Sequence, residues 1–109
     1  MENKIRKISI IGYGNVSSHL VEAFENIGIE VTHILVRDIQ NYATDSKLNF
    51  ISNYAELPKK QLVVVCVPDN EIVSVIDKIG NDCPIAYTSG SVKLEEFDIS
   101  KQIGVFYPL

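Results

Sequence analysis

The amino-acid sequence predicts an α/β domain whose doubly wound, mostly parallel sheet of six strands lies between two layers of helices. Three observations lead to this prediction. Short apolar runs alternate with segments of helical period, glycine or proline stands at most of the junctions, and no repeat or linker divides the chain. Alternating strands and helices form right-handed crossovers and parallel sheets. With 109 residues, 46% of them apolar, the chain suits one soluble domain and is too short for two.

The first strand, the first helix and the second strand follow one another without a gap. Residues 8–11 are an apolar run, which is typical of a parallel strand buried on both faces. After a glycine turn, apolar residues recur at spacings of four, four and three, which predicts the buried stripe of an amphipathic helix: Val16, Leu20, Phe24 and Ile27. Gly28 stands where a helix commonly ends, and the second strand is predicted over residues 31–36.

The third main strand has the clearest pattern. Residues 62–67 are rich in β-branched side chains, and Pro68 stops the run because it cannot donate to a ladder. Asp69 is predicted to cap the next helix, which ends near Gly80 and buries one apolar face: Ile72, Val73, Ile76 and Ile79. Three shorter strands are predicted over residues 50–51, 84–88 and 103–107, and two short helical segments over residues 39–43 and 94–97.

Charge and apolar runs exclude several classes of protein. The net charge is -4, from 14 acidic and 10 basic residues, and neither sign forms a block. A nucleic-acid footprint or a polybasic membrane segment is therefore not expected. No apolar run approaches the length of a membrane span, and the polar first seven residues do not form a secretory signal.

The cysteines and histidines do not form a metal-ligand pattern. Cys66 and Cys83 lie in apolar contexts without the spacing of a zinc site, so we expect two buried thiols in a reduced, cytoplasmic protein. His19 falls on the first helix and His33 within the second strand, and neither has a partner at metal-ligand spacing. Structural roles are therefore favoured for both histidines, and no metal site is predicted.

One motif carries chemistry by itself, and it joins the first strand to the first helix: Gly12, Tyr13, Gly14, Asn15, Val16 and Ser17. Gly12 would allow the tight turn, and Gly14 would let the backbone approach a pyrophosphate at the helix N-terminus. Ser17 replaces a third glycine, whose role is close packing of helix on strand, and a small serine can fill that role. The pattern predicts a dinucleotide site. A plain strand-to-helix turn is the alternative.

The residues after the second strand decide which dinucleotide is preferred. Arg37 lies 20 residues beyond Ser17, near the position where such sites read the ribose. If Arg37 faces the ribose, a 2'-phosphate and hence NADP is favoured. If Asp38 faces it, NAD is favoured, and a solvated charge pair is the third possibility.

Two further junctions fall on the same edge of the predicted sheet. Val67, Pro68 and Asp69 follow the third main strand and would lie beside the glycine loop, where open α/β sheets collect ligands. Asp69 is interpreted as a helix cap in preference to a catalytic acid. Ser89, in the loop over residues 88–91, either faces the nicotinamide or the substrate, or belongs to a plain turn. No acid-base pair or nucleophile can be assembled, so the catalytic residues stay unknown.

With these residues together, the chain resembles the N-terminal Rossmann-like domain of a bacterial family of inferred NADP oxidoreductases, related to pyrroline-5-carboxylate reductase and 6-phosphogluconate dehydrogenase. The resemblance covers nearly the whole chain and rests on five segments: residues 11–16, Arg37, residues 67–69, residues 88–91 and residues 104–109. It implies that the first loop holds the pyrophosphate, that Arg37 favours NADP, and that residues 67–69 border the nicotinamide. Tyr87 stands where the family pattern has a histidine, so no catalytic role carries over to the loop that follows it.

The resemblance also implies a function for the chain. Residues 1–109 would be the NAD(P)-binding domain of an oxidoreductase that transfers hydride between nicotinamide and a small imine, carbonyl or hydroxy acid. Family members continue into a helical domain that completes the substrate site and usually the dimer. The expectation is therefore a fragment that binds cofactor without turnover and that comes from a homo-oligomer. A noncatalytic dinucleotide-sensing or interaction module is the alternative.

Overall fold

The structure is a computed structural model that describes residues 6–41, 48–80, 82–87 and 103–105. For residues 15, 16, 41 and 103–105 it describes the backbone alone. The strands are β1 (Lys7–Ile11), β2 (Glu30–Leu35), β3 (Phe50–Ile51), β4 (Leu62–Val65), β5 (Ile85–Tyr87) and β6 (Ile103–Val105). The helices are α1 (Asn15–Asn26) and α2 (Asp69–Lys78), with 3-10 turns at Ile39–Asn41 and Tyr54–Glu56.

All the strands pair in parallel, in the order β3-β2-β1-β4-β5-β6. This result confirms the predicted α/β class and the parallel sheet. The chain winds outward from β1 to β3 and then crosses back to place β4 on the other side of β1. A crevice therefore opens beside the carboxyl ends of β1 and β4, where the direction of winding reverses.

The buried side chains form two clusters, which the alternation of side chains along β4 separates. Val63 and Val65 belong to one cluster, together with Ile72 and Ile76 of α2. Val64 belongs to the other cluster, which includes Leu20 and Val21 of α1. Neighbouring residues of a strand point to opposite faces of the sheet, so Val64 and its two neighbours belong to different clusters.

The C-terminal end of α1 follows the predicted glycine signal. Gly28 has a φ of +85°, and its N–H donates to the carbonyl of Glu25 at 3.1 Å. The N–H of Ile29 donates to the carbonyl of Phe24 at 2.9 Å. These two bonds form a Schellman motif, which satisfies carbonyl groups that the last helical turn would otherwise leave without a partner.

The prediction that Ile27 lies on the buried stripe of α1 is wrong. Leu20 is buried and Phe24 is half-buried, but the side chain of Ile27 is 72% exposed. The helix ends at Asn26, and Ile27 already has a non-helical ψ of 14°. The Schellman turn rotates the chain away from the core at this point. Ile27 is therefore exposed although it continues the apolar spacing of the helix.

The start of α2 also differs from the prediction. Pro68 occupies the N-cap position, and Asp69 is the first helical residue instead of the cap. Asp69 and Glu71 are the acidic residues of the first turn, where negative charge is favourable at the positive end of the helix dipole. The helix ends at Lys78, and Ile79 is buried just beyond it, so Gly80 lies outside the helix.

The predicted strands that fall on described residues are present, and some of their bounds differ from the prediction. The predicted strand over residues 62–67 ends at Val65, and the one over residues 31–36 is shifted by one residue. The small strand at residues 50–51 is confirmed, while the predicted helix over 39–43 is a 3-10 turn at Ile39–Asn41, with residues 42 and 43 outside the described residues. The predicted helical segment over 94–97 also lies outside them.

A cluster of hydrogen-bonded polar side chains lies within the apolar sheet near the amino end of β1. The pairing of β1 with β2 shifts register between Ile8 and Ser9. Gln61 donates to the Oγ of Ser9 at 3.0 Å and to the Oγ1 of Thr32 at 2.6 Å, and the Nδ1 of His33 lies 2.8 Å from the same Thr32 oxygen. These contacts satisfy the fully buried Ser9 hydroxyl and give His33 a hydrogen-bond partner inside β2.

In the described ranges, neither helix has the length and apolar character needed to cross a membrane. Within the same ranges, no three residues of the metal-binding types lie close enough together to hold an ion.

Candidate functional site

A cavity of about 500 Å³ opens at the carboxyl ends of β1, β2 and β4. The loop after β1, the residues that follow β2, the residues that follow β4 and one side of α2 form its walls. This is the crevice that the strand order creates. Its volume lies within the range of about 300–1,000 Å³ that small-molecule and cofactor sites occupy.

Gly12 lines the cavity at the place where the loop after β1 lies against the residue that follows β4. Its φ is +92°, and a Cβ atom there would lie 2.4 Å from the carbonyl oxygen of Cys66. The Gly12 N–H donates to the carbonyl of Leu35 at 2.8 Å. The loop is thus held between the ends of β2 and β4, in a backbone conformation that favours glycine.

Gly14 faces open space in the same loop. Its φ is -136°, which any residue adopts, and no atom lies within 4 Å of the position that a Cβ would take. The absence of a side chain is therefore not needed for the fold at this residue. It leaves the backbone at the start of α1 open to the cavity. Asn15 and Val16, predicted to belong to the same loop, are the first two residues of α1.

Ser17 is buried as the packing prediction required, and it also makes hydrogen bonds that the prediction lacked. Its side chain is 1% exposed. The Gly14 N–H donates to the Ser17 Oγ at 2.7 Å, and the hydroxyl is 3.3 Å from the Gly14 carbonyl. Ser17 therefore satisfies one of the N–H groups at the start of α1 that the helix itself leaves open.

Arg37 lies at the rim of the cavity and pairs with a residue that sequence reasoning missed. Its Nη2 donates to the Oε1 of Glu71, which belongs to the first turn of α2. Asp38 is exposed and does not line the cavity. Of these two residues, Arg37 lines the cavity, and its ion pair is with Glu71 and not with Asp38.

Tyr54 and Lys78 are two more cavity residues that sequence reasoning did not identify. Tyr54 is half-buried, and the Nζ of Lys78 lies 5.8 Å from the centre of its ring, within the range of a cation–π contact. Burial raises the pKa of the Tyr54 hydroxyl. The Arg37 charge opposes that rise in pKa and the Glu71 charge adds to it. The phenol therefore stays protonated at neutral pH.

Tyr13 also lines the cavity. Its ring meets the ring of Phe50 edge to face, with centroids 5.3 Å apart and an angle of 81° between the planes. Such pairs are favourable beyond the area that they bury. The contact therefore supports the orientation of Tyr13 beside the glycine loop.

The remaining predicted residues divide into three groups. Val67 and Pro68 line the cavity as expected for the junction after β4, whereas Asp69 is exposed and does not. Cys66, predicted to be buried, is half-buried and lines the cavity, while Cys83 is buried and its Sγ lies 3.4 Å from the carbonyl oxygen of Pro58. Ser89 lies outside the described residues.

One signal could have found Glu71, Tyr54 and Lys78. Each falls on a segment that follows or flanks the carboxyl end of a predicted strand, and in a parallel sheet those ends meet at one edge. The spacing from Glu71 to Lys78 is seven residues, about two turns of α2, so both lie on the same side of that helix.

Comparisons with known proteins identify the fold. Matching against protein-family models and against curated proteins finds no relative. Among solved structures, the chain is similar to the crystal structure of a "putative NADP oxidoreductase" from Bacteroides fragilis, with a TM-score of 0.76 and 21% sequence identity. The match covers 94% of this chain and 44% of that one, so the chain spans less than half the length of its structural neighbour.

Proposed function

We propose that the chain is the NADP-binding domain of an oxidoreductase that transfers hydride between nicotinamide and a small imine, carbonyl or hydroxy acid. The observation that carries the proposal is the cavity at the reversal of strand order, with the glycine loop on one wall and the Arg37 cation at its rim. The name of the Bacteroides fragilis protein, which has the same fold, supports the same cofactor.

We also propose that the domain is the complete doubly wound, three-layered arrangement of six strands.

The residues present fit a dinucleotide. Because Gly14 has no side chain and its Cβ position is open, a pyrophosphate could approach the backbone there, at the start of α1. Gly12 holds the loop back against Cys66 and so keeps the approach clear. Val67 and Pro68 line the wall that would border the nicotinamide. The nicotinamide would supply the hydride chemistry.

Arg37 would distinguish NADP from NAD. A guanidinium can donate two parallel hydrogen bonds to a phosphate, and such charge-assisted bonds are stronger than neutral ones. The ribose hydroxyl of NAD has no charge for Arg37 to meet. Since Asp38 does not line the cavity, Arg37 is the residue of this pair that supports a preference.

Titration with NADPH and with NADH tests the proposal, using the change in nicotinamide fluorescence or calorimetry. We expect tighter binding of NADPH. Arg37→Ala should weaken NADPH about tenfold while changing NADH little, because one charge-assisted contact to phosphate is lost. Asp38→Asn is the matched control, since it alters a neighbouring charge that lies away from the cavity. Equal affinity for both nucleotides, or an NADH preference that Asp38→Asn removes, would refute the proposal.

A further inference from the structure

We infer that Glu71 is a specificity-determining residue that lowers the affinity of this site for a 2'-phosphate by competing for Arg37. The inference rests on the proposed function and adds a residue to it. The Arg37–Glu71 ion pair joins two residues 34 positions apart, one after β2 and one in the first turn of α2. Both residues of the pair line the cavity.

The two partners differ in how firmly they are held. The side chain of Arg37 is 85% exposed, whereas that of Glu71 is 32% exposed. Glu71 also lies on a regular helix whose next residue, Ile72, is fully buried. The carboxylate is therefore the better fixed partner, and Arg37 is the side chain that would move when the pair opens.

The free energy needed to separate Arg37 from Glu71 depends on the other charges in the cavity. The charged side chains that line the cavity within the described ranges are Arg37, Glu71 and Lys78. Arg37 is paired with Glu71, and the Lys78 cation lies over the Tyr54 ring. A phosphate monoester carries a charge of about -1.5 to -2 at neutral pH. To reach Arg37 it must either displace the Glu71 carboxylate or share the guanidinium with it at close range.

The same carboxylate would act differently on an unphosphorylated ribose. A hydroxyl group can donate to the Glu71 carboxylate, and acidic residues bind the ribose of NAD in this way in related folds. Glu71 therefore opposes the phosphate of NADP and accepts the hydroxyl of NAD. The presence of Glu71 therefore reduces the preference for NADPH over NADH that Arg37 creates.

Glu71→Gln tests the inference, because it removes the charge and keeps the size of the side chain. NADPH affinity should rise roughly threefold to tenfold, as expected for removal of one partly exposed opposing charge. NADH affinity should stay the same or fall. Asp77→Asn is the matched control, since it removes an equal charge from an exposed position of α2 that does not line the cavity.

A second variant distinguishes competition from simple repulsion at a distance. In Arg37→Ala, the further change Glu71→Gln should no longer raise NADPH affinity, because nothing is left to compete for. A full gain in that background would mean that Glu71 acts on the phosphate without Arg37, and the inference would fail.

Two results would overturn the inference while leaving the proposed function intact. One is unchanged NADPH affinity in Glu71→Gln. The other is a loss of NADPH affinity, which would mean that Glu71 holds Arg37 ready for the phosphate. Failure of the wild-type chain to bind either nucleotide is a different result, and it would refute the proposed function and this inference together. Far-ultraviolet circular dichroism of each variant checks that the fold is retained.

Discussion

The backbone of Gly12 lies against the carbonyl group of Cys66, and no side chain fits between them. A Cβ atom at residue 12 would approach that oxygen to 2.4 Å, and it would also lie 3.2 Å from a side-chain carbon of Val67. The loop after β1 and the end of β4 are thus fixed against each other, and they form two walls of the same cavity.

Gly12→Ala should therefore lower the free energy of unfolding by about 2 to 4 kcal/mol, because the new methyl group meets backbone and the φ of +92° is strained for alanine. Gly28→Ala is the control. Gly28 has a similar φ of +85° but open space around it, so its cost should be about 1 kcal/mol. Urea unfolding measures both values, and equal losses would mean that the contact with Cys66 does not matter.

Substitution of Gly14 should affect nucleotide binding and not stability, unlike substitution of Gly12. Gly14→Leu places a side chain in open space at an ordinary φ, so stability should change by less than about 0.5 kcal/mol. Dinucleotide binding should be lost, because the side chain occupies the place proposed for the pyrophosphate. Nucleotide titration and urea unfolding of the same variant separate the two effects. Undiminished affinity would remove the phosphate role of this loop.

Ser17→Ala should cost about 1 kcal/mol of stability. The Ser17 hydroxyl accepts from the Gly14 N–H at 2.7 Å in a buried position, and alanine leaves that donor without its partner. Ser74→Ala, on the exposed side of α2, is the control and should be neutral or slightly stabilising. Equal unfolding midpoints for Ser17→Ala and the wild type would contradict the expected role of the hydroxyl.

Truncation of Ile27 and of Ile76 should have very different effects on the free energy of unfolding, although both residues continue an apolar helical pattern. Ile27→Ala should change the free energy of unfolding by less than about 0.5 kcal/mol, since the side chain is 72% exposed. Ile76→Ala should cost about 2 to 5 kcal/mol, because Ile76 is fully buried and its truncation leaves a cavity. Similar losses in the two variants would show that Ile27 is packed after all.

Tyr54 should titrate above the ordinary tyrosine pKa of about 10. Burial disfavours its phenolate, so its contribution to stability is present at lower pH and is lost as pH rises through the tyrosine range. Arg37→Ala should move the pKa further up, and Glu71→Gln should move it down. Near-ultraviolet tyrosinate absorbance, with Tyr54→Phe subtracted, follows this single group. A Tyr54 pKa below the ordinary value would contradict the burial.

Features that depend on a few neighbouring residues could be predicted from the sequence. The glycine loop, the turn at Gly28 and the β-branched strand that became β4 are set by local backbone preferences and side-chain period. The parallel α/β arrangement follows from alternation of such elements. The predictions that Ile27 is buried and that Asp69 caps α2 are wrong, because the residue at which a helix begins or ends is set by hydrogen bonds that apolar spacing does not report.

The amino-acid sequence was enough to predict the main strands, the two helices and the position of the glycine loop. It could not predict that Arg37 pairs with Glu71, that Lys78 lies over Tyr54, or that Asp38 lies outside the cavity. These contacts depend on the strand order. Residues far apart in the chain become neighbours only where parallel strands bring their carboxyl ends to one edge, and the contacts made there depend on distances that no local pattern contains.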